Sequence, residues 1–219
     1  EVVELAAMAV RKIPELWYLA MVRDPRDVMG SRHKLKPDMY WTSLGRIRPQ
    51  VEQLMAAMAL DRVVVVKYED LVTYPDAVQK RLMAQIDFLE KRADFSQFST
   101  LAKPSHAASR ALGGVRPIST ASVWNWKQHL PRIKGQIERY GYMTEMLRVL
   151  DYETDLDWTS CLECITGDHS DGFTEHRDLT MALHRRLVRD IRSAARRTRF
   201  RLGYPAKALK PLELAAERG

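Results

Sequence analysis

The sequence has little cysteine, no long apolar run and no tract of low complexity, and each shortage removes a class of protein. Two cysteines in 219 residues cannot staple a fold, which excludes a disulfide framework and makes a reducing, cytoplasmic compartment the simpler expectation. The longest apolar stretches, such as Leu16 to Val22 and Val63 to Val66, fall far short of the roughly 20 residues that a bilayer-crossing helix needs. The opening residues read as an ordinary amphipathic segment rather than a secretory leader. Because the first residue is Glu1 and not Met, the chain is expected to begin in mid-protein. No internal repeat is found.

What is present suits a single buried core, with 46% apolar and 29% charged residues. The net charge of +7 is uneven. Residues 171–219 hold twelve Lys and Arg against six Asp and Glu, so the rest of the chain is close to neutral. An argument from basicity toward nucleic acid therefore concerns the tail alone.

Apolar spacing predicts a first helix that Pro14 ends, then a buried strand over Leu16 to Val22. That strand stops at Arg23-Asp24-Pro25-Arg26-Asp27, where Pro after Asp opens a helix. A second helix is expected from about Ser43 to Leu60, interrupted near Pro49. Four valines, Val63 to Val66, suit a strand covered on both faces. Glu69-Asp70-Leu71 follows, and Pro75 opens another helix with Val78, Leu82, Ile86 and Leu89 on one face. This order predicts an α/β domain with parallel strands joined by helical crossovers. No period persists from about Arg92 to Lys127, a loop long enough to suggest a function. One helix is expected from about Leu130 to Leu150. After an acidic stretch, Asp151 to Asp157, comes a linker from Thr166 to Gly172 and a final basic amphipathic helix. The division expected is a domain over 1–157 and a linker with a basic tail over 158–219.

Ligands of open α/β sheets sit beyond the carboxyl ends of the strands. There the first strand offers Arg23, whose guanidinium can grip a phosphate in bidentate fashion, and Ser31, a hydroxyl expected in the second turn of the following helix. Arg23-Asp24-Pro25-Arg26-Asp27 with Ser31 resembles the 3′-phosphate motif of sulfotransferases that use 3′-phosphoadenosine 5′-phosphosulfate (PAPS). Tyr68-Glu69-Asp70-Leu71 is similar to that family's next landmark, and Trp124-Asn125-Trp126-Lys127 to its late Trp-Lys segment. Three landmarks in order over residues 16–150 are more specific than any one of them.

The resemblance implies a P-loop-like parallel sheet flanked by helices, an incomplete sulfotransferase fold, followed by the basic C-terminal helix. It implies that Arg23 and Ser31 bind the 3′-phosphate and that Tyr68 lies beside the adenine, with Arg26 and Asp27 structural. In the loop before the Trp-Lys segment it points to Arg110, Gly113, Gly114 and Arg116, although the family's Arg-Lys-Gly form is not reproduced. The implied activity is transfer of a sulfuryl group from PAPS to a hydroxyl or amine on a glycan, lipid or small molecule, with 3′,5′-adenosine bisphosphate left behind and no metal. The family's glycine-containing phosphosulfate loop and its catalytic base have no counterpart in the sequence. Both are expected upstream, and this chain alone is expected to be inactive.

Other readings compete. A noncatalytic module could keep the nucleotide site or only the fold. The basic tail could bind nucleic acid or an anionic membrane, but its leucine stripe and scarcity of aromatics favour packing on the domain. Cys161-Leu162-Glu163-Cys164 with His169 and His176 can be written as a zinc set; a single Cys-x-x-Cys reads more simply as reduced cysteines near a linker. His33 and His106 read as surface or loop histidines.

Overall fold

A computed structural model describes residues 2–33, 36–106, 108–109 and 114–173. The chain divides into two units, Glu1–His176 and Arg177–Gly219. The basic tail, Arg110, Gly113 and His176 lie outside the described residues.

The predicted alternation is realised as a mixed α/β arrangement. Helix α1 (Val2–Lys12) leads into strand β1 (Tyr18–Val22), and α2 (Pro25–Gly30) follows directly. A hairpin, β2 (Arg32–His33) and β3 (Lys36–Tyr40), precedes α3 (Leu44–Ala57), then β4 (Val63–Lys67), α4 (Tyr68–Thr73) and α5 (Pro75–Gln85). β1 and β4 pair in parallel, with Tyr18 opposite Val63 and Val22 opposite Lys67. Parallel strands cannot be joined by a tight turn, so α2, the hairpin and α3 form the crossover between them. The register leaves both carboxyl ends level, and Arg23 and Tyr68 emerge side by side.

The two faces of this pair differ. Tyr18, Ala20, Val22 and Val65 pack into the larger core, with Met29, Leu44 and Leu54. On the other face Val64 and Val66 are covered by Val78, Leu82 and Ile86, partly from α5. Val64, Val65 and Val66 are thus packed on alternate faces, as expected, whereas half-buried Val63 joins neither cluster. Leu19 and Met21 share the second face but are 48% and 59% exposed.

Several sequence expectations are corrected. α3 runs through Pro49 without a break, because Val51, Leu54 and Ala57 bury one continuous face. Its N-terminus is capped from afar, the Leu44 N–H donating to Oε1 of buried Gln136 at 2.8 Å. The single helix expected over 130–150 is two, α7 (Leu130–Tyr140) and α8 (Thr144–Val149), after a short α6 (Phe98–Leu101) in the long loop. The break is at Gly141, whose φ of +80° suits glycine and whose N–H closes on the Ile137 carbonyl. Turning there brings Met143, Met146 and Leu147 onto the core that Ile133 and Ile137 already line. Leu89 lies beyond the end of α5 and is exposed. His33 is a buried residue in an aromatic cluster, its ring stacked on Trp41 at a centroid distance of 5.1 Å and tilted against Phe173 at 3.9 Å.

Trp158 and Leu162 belong to the larger core. The segment read as a linker lies along α7, where the Asp168 N–H donates to the Pro131 carbonyl at 2.7 Å and Gly135 leaves no room for a Cβ beside the Asp168 backbone. Fully buried Arg132 donates to the carbonyls of Thr42 and Ser170. No described helix is long and apolar enough to cross a membrane.

Candidate functional site

The site begins where the two parallel strands end. The Arg23 guanidinium carbon lies 4.9 Å from the Tyr68 ring centroid, a contact that the level register makes unavoidable for two large side chains at adjacent strand exits. The loop after Gly114 supplies a third member. Arg23 Nη2 donates to the Ser122 carbonyl at 2.5 Å, and the Ser122 and Tyr68 hydroxyls share a hydrogen bond at 2.9 Å. Arg23 also lies 3.5 Å from Asp27 Oδ2. Its Nε is buried and has no hydrogen-bond partner among the described residues, a costly state for a cationic donor.

Beneath this trio is a buried polar frame. Asp24 opens α2 with its carboxylate accepting the Arg26 N–H at 2.9 Å and Pro25 at the first helical position. Arg26, fully buried, makes a bidentate pair with Asp24 at 3.0 and 2.7 Å and reaches Glu153 at 2.7 Å. Its guanidinium lies 4.2 Å from the Trp126 ring and 4.9 Å from the Trp158 ring. Asp27 accepts the backbone N–H groups of Trp126 at 2.7 Å and Trp124 at 3.0 Å, so α2 holds the end of the long loop. Burial pushes the Asp27 carboxyl upward against the lowering effect of the Trp126 N–H and Arg23. Glu69 joins the two strand exits, Oε1 accepting the Asp24 N–H at 3.0 Å and Oε2 the Tyr152 hydroxyl at 2.8 Å. The expectation that Arg26 and Asp27 are structural agrees with these contacts, and Trp126 is likewise a packing residue.

Tyr152 is pushed well above the ordinary phenol range, first by burial and then by the Glu69 carboxylate. The folded state therefore keeps a proton that the unfolded chain gives up above about pH 10, and stability falls as pH rises through that point. Urea titrations at a series of alkaline pH values should show Tyr152→Phe losing stability less steeply than the wild type, by about one bound proton. Parallel slopes would refute this.

The sequence-predicted residues separate into groups. Arg23 and Tyr68 meet. Ser31 does not lie in the second turn of a helix: α2 ends at Gly30, and Ser31 is extended beyond it, with Oγ donating to the Asp27 carbonyl at 2.8 Å and its own carbonyl accepting the Trp41 N–H at 2.8 Å. Its hydroxyl is thus turned back on α2, toward Asp27, and its backbone is tied to Trp41 after the hairpin. Gly114 has φ +92° and donates its N–H to the Ser109 carbonyl at 2.8 Å. Arg116 is exposed and shares a cleft with Tyr68. Sequence reasoning missed Ser122, whose only signal was its place two residues before Trp124.

The cleft has a volume of about 820 Å³. Leu19, Met21, Leu71, Phe95 and Phe98 form apolar walls, and Tyr68, Arg116, Ser119 and Ser122 provide polar groups. Among the described residues lining it there is no carboxylate and no imidazole. A cleft with the Arg116 guanidinium, hydroxyl groups and apolar walls can bind an anion carried on a planar, largely apolar body, while Arg23 stands behind the lining, in contact with Tyr68 and Ser122.

No family model, curated protein or solved structure matches the chain.

Cys161 and Cys164 are exposed. His169 lies 3.1 Å from Glu138, and the fourth residue of the zinc reading, His176, is outside the described residues. His106 is exposed.

Proposed function

We propose that this chain carries the 3′-phosphate- and adenine-binding part of a PAPS-dependent sulfotransferase. The observation that carries the reading is the junction of Arg23, Tyr68 and Ser122 at level parallel strand exits, opening onto an apolar cleft. Arg23 would grip the ribose 3′-phosphate once its guanidinium turns outward, since its Nε is buried and its Nη2 is held by the Ser122 carbonyl. Tyr68 and the apolar walls would hold the adenine. Arg116 would add charge, as would Arg110, and Gly113 would supply a backbone donor, whereas the Gly114 N–H would have to leave the Ser109 carbonyl to reach the phosphate. Ser31 would act on the phosphate only if its hydroxyl leaves the Asp27 carbonyl.

In the reaction proposed, the sulfuryl group passes from the phosphosulfate oxygen to an acceptor oxygen or nitrogen, and 3′,5′-adenosine bisphosphate leaves. The groups that would neutralise the bridging oxygen and take the acceptor's proton are not among the residues assigned here. This chain's share is to bind and orient the donor.

Calorimetry with 3′,5′-adenosine bisphosphate tests the reading. Arg23→Ala should weaken binding by about 2 kcal/mol, roughly 30-fold, the loss expected for a charge-assisted bidentate contact at a partly buried site. Arg23→Lys should recover only part of it, because an ammonium keeps the charge without the fork. Equal affinities for the wild type and Arg23→Ala would sink the proposal.

A second reading is a noncatalytic nucleotide-binding module of the same fold. The described cleft residues, without a carboxylate or imidazole, suffice for this reading with no group supplied from elsewhere. Sulfate transfer from PAPS to a simple phenol, assayed with a protein that also carries the phosphosulfate loop and base the first reading requires, would separate the two: turnover supports the enzyme, and binding of 3′,5′-adenosine bisphosphate without turnover supports the module.

A further inference from the structure

The cysteine pair stands apart from the strand exits. Cys161 is the fifth residue of a six-residue 3₁₀ helix, Asp157–Leu162, and Glu163 continues the helical backbone with φ −58° and ψ −43°. The turn closes with Glu163 N–H on the Ser160 carbonyl and Ile165 N–H on the Leu162 carbonyl. Side chains three apart in such a turn lie on the same side. At about 2 Å rise per residue their Cα atoms are roughly 5–6 Å apart, inside the span that a disulfide bridges. Both cysteines are exposed. The flanking Trp158 and Leu162 are buried in the larger core, so the turn is anchored while its outer side faces solvent. The Cys161 thiol now donates to the Trp158 carbonyl at 3.1 Å, and rotation about χ1, fast for an exposed side chain, swings it toward Cys164.

We infer that Cys161 and Cys164 form an exchangeable dithiol that closes to an intramolecular disulfide by reaction with low-molecular-weight disulfides. One thiolate attacks a sulfur of glutathione disulfide, forming a mixed disulfide and releasing one glutathione thiolate. The second cysteine thiolate attacks the protein-bound sulfur of that mixed disulfide and releases the other. Two protein thiols are oxidised and one glutathione disulfide is reduced to two glutathiones; the protons lost by the cysteines end on those leaving thiols. The neighbouring thiol acts at high effective concentration, so ring closure outruns both a lasting glutathione adduct and a second chain. These are the chain's two cysteines, and no third thiol competes.

Intact-mass measurement of the full chain after equilibration in glutathione disulfide and glutathione buffers tests this. The wild type should lose two hydrogens per chain, keep no glutathione and stay monomeric with respect to disulfides. Cys161→Ser and Cys164→Ser should each accumulate a single glutathione adduct, because the resolving thiol is gone. A wild type that retains glutathione, links to a second chain, or stays reduced under conditions that modify the single variants would overturn the inference.

Discussion

Replacing Arg26 with Met should destabilise the protein by about 3–5 kcal/mol, the usual result of removing one member of a buried ion network. Arg26 is fully buried and neutralises Asp24, also fully buried, while reaching Glu153 at 2.7 Å. Methionine fills much of the space between the Trp126 and Trp158 rings, so lost packing is a small part of the effect. The dominant cost is an Asp24 carboxylate left in the interior without its cation. A further substitution, Asp24→Asn, should restore part of the stability in the Arg26→Met background, because it removes the stranded charge. Chemical denaturation of both variants and the wild type measures this. A loss below about 1 kcal/mol for Arg26→Met would mean that the network contributes no more than a surface pair.

Asp27→Ala should cost about 2–5 kcal/mol and should also reach the site. Its two carboxylate oxygens accept the N–H groups of Trp124 and Trp126, and each orphaned donor of this kind costs about 1–3 kcal/mol. Trp124 has φ +60°, an uncommon conformation for a bulky residue. The Asp27 carboxylate is what holds that part of the chain in place. Losing it frees the end of the loop that presents Ser122 to Arg23 and Tyr68. Under conditions where the variant remains folded, its binding of 3′,5′-adenosine bisphosphate should weaken together with its stability. Stability reduced with affinity unchanged would separate the frame from the site. Asp27→Asn, which retains one acceptor, should fall between the two.

Arg23→Ala differs from both in kind. Arg23 is partly exposed, so its substitution should change binding more than folding. The three variants together distinguish a residue that grips a ligand from residues that build the place where it stands.

How much of this was legible beforehand differs from element to element. The opening of α2 was readable because Asp before Pro is a local signal, complete within a few residues. The strand of four valines was readable for the same reason. The hairpin over Arg32 to Tyr40 was not, since its strands are short and polar and Pro37 lies within one of them. The break at Gly141 was hidden because the apolar spacing on either side is equally helical, and only the need to turn Met143, Met146 and Leu147 onto one core selects it. Ser31 was placed by spacing in a helix that in fact stops one residue earlier.

Local chemistry along the chain therefore determined the alternation of helices and strands and the emergence of Arg23 and Tyr68 at strand ends, since each depends on residues adjacent in sequence. Tertiary structure alone decided that these two ends are level, that Ser122 arrives from a distant loop to bond both, and that Arg26 finds Glu153 while Glu69 finds Tyr152. Those contacts join residues separated by 45 to 127 positions. They form because a buried polar group must find a partner wherever the packed core brings one, and no pattern within a single segment encodes where that will be.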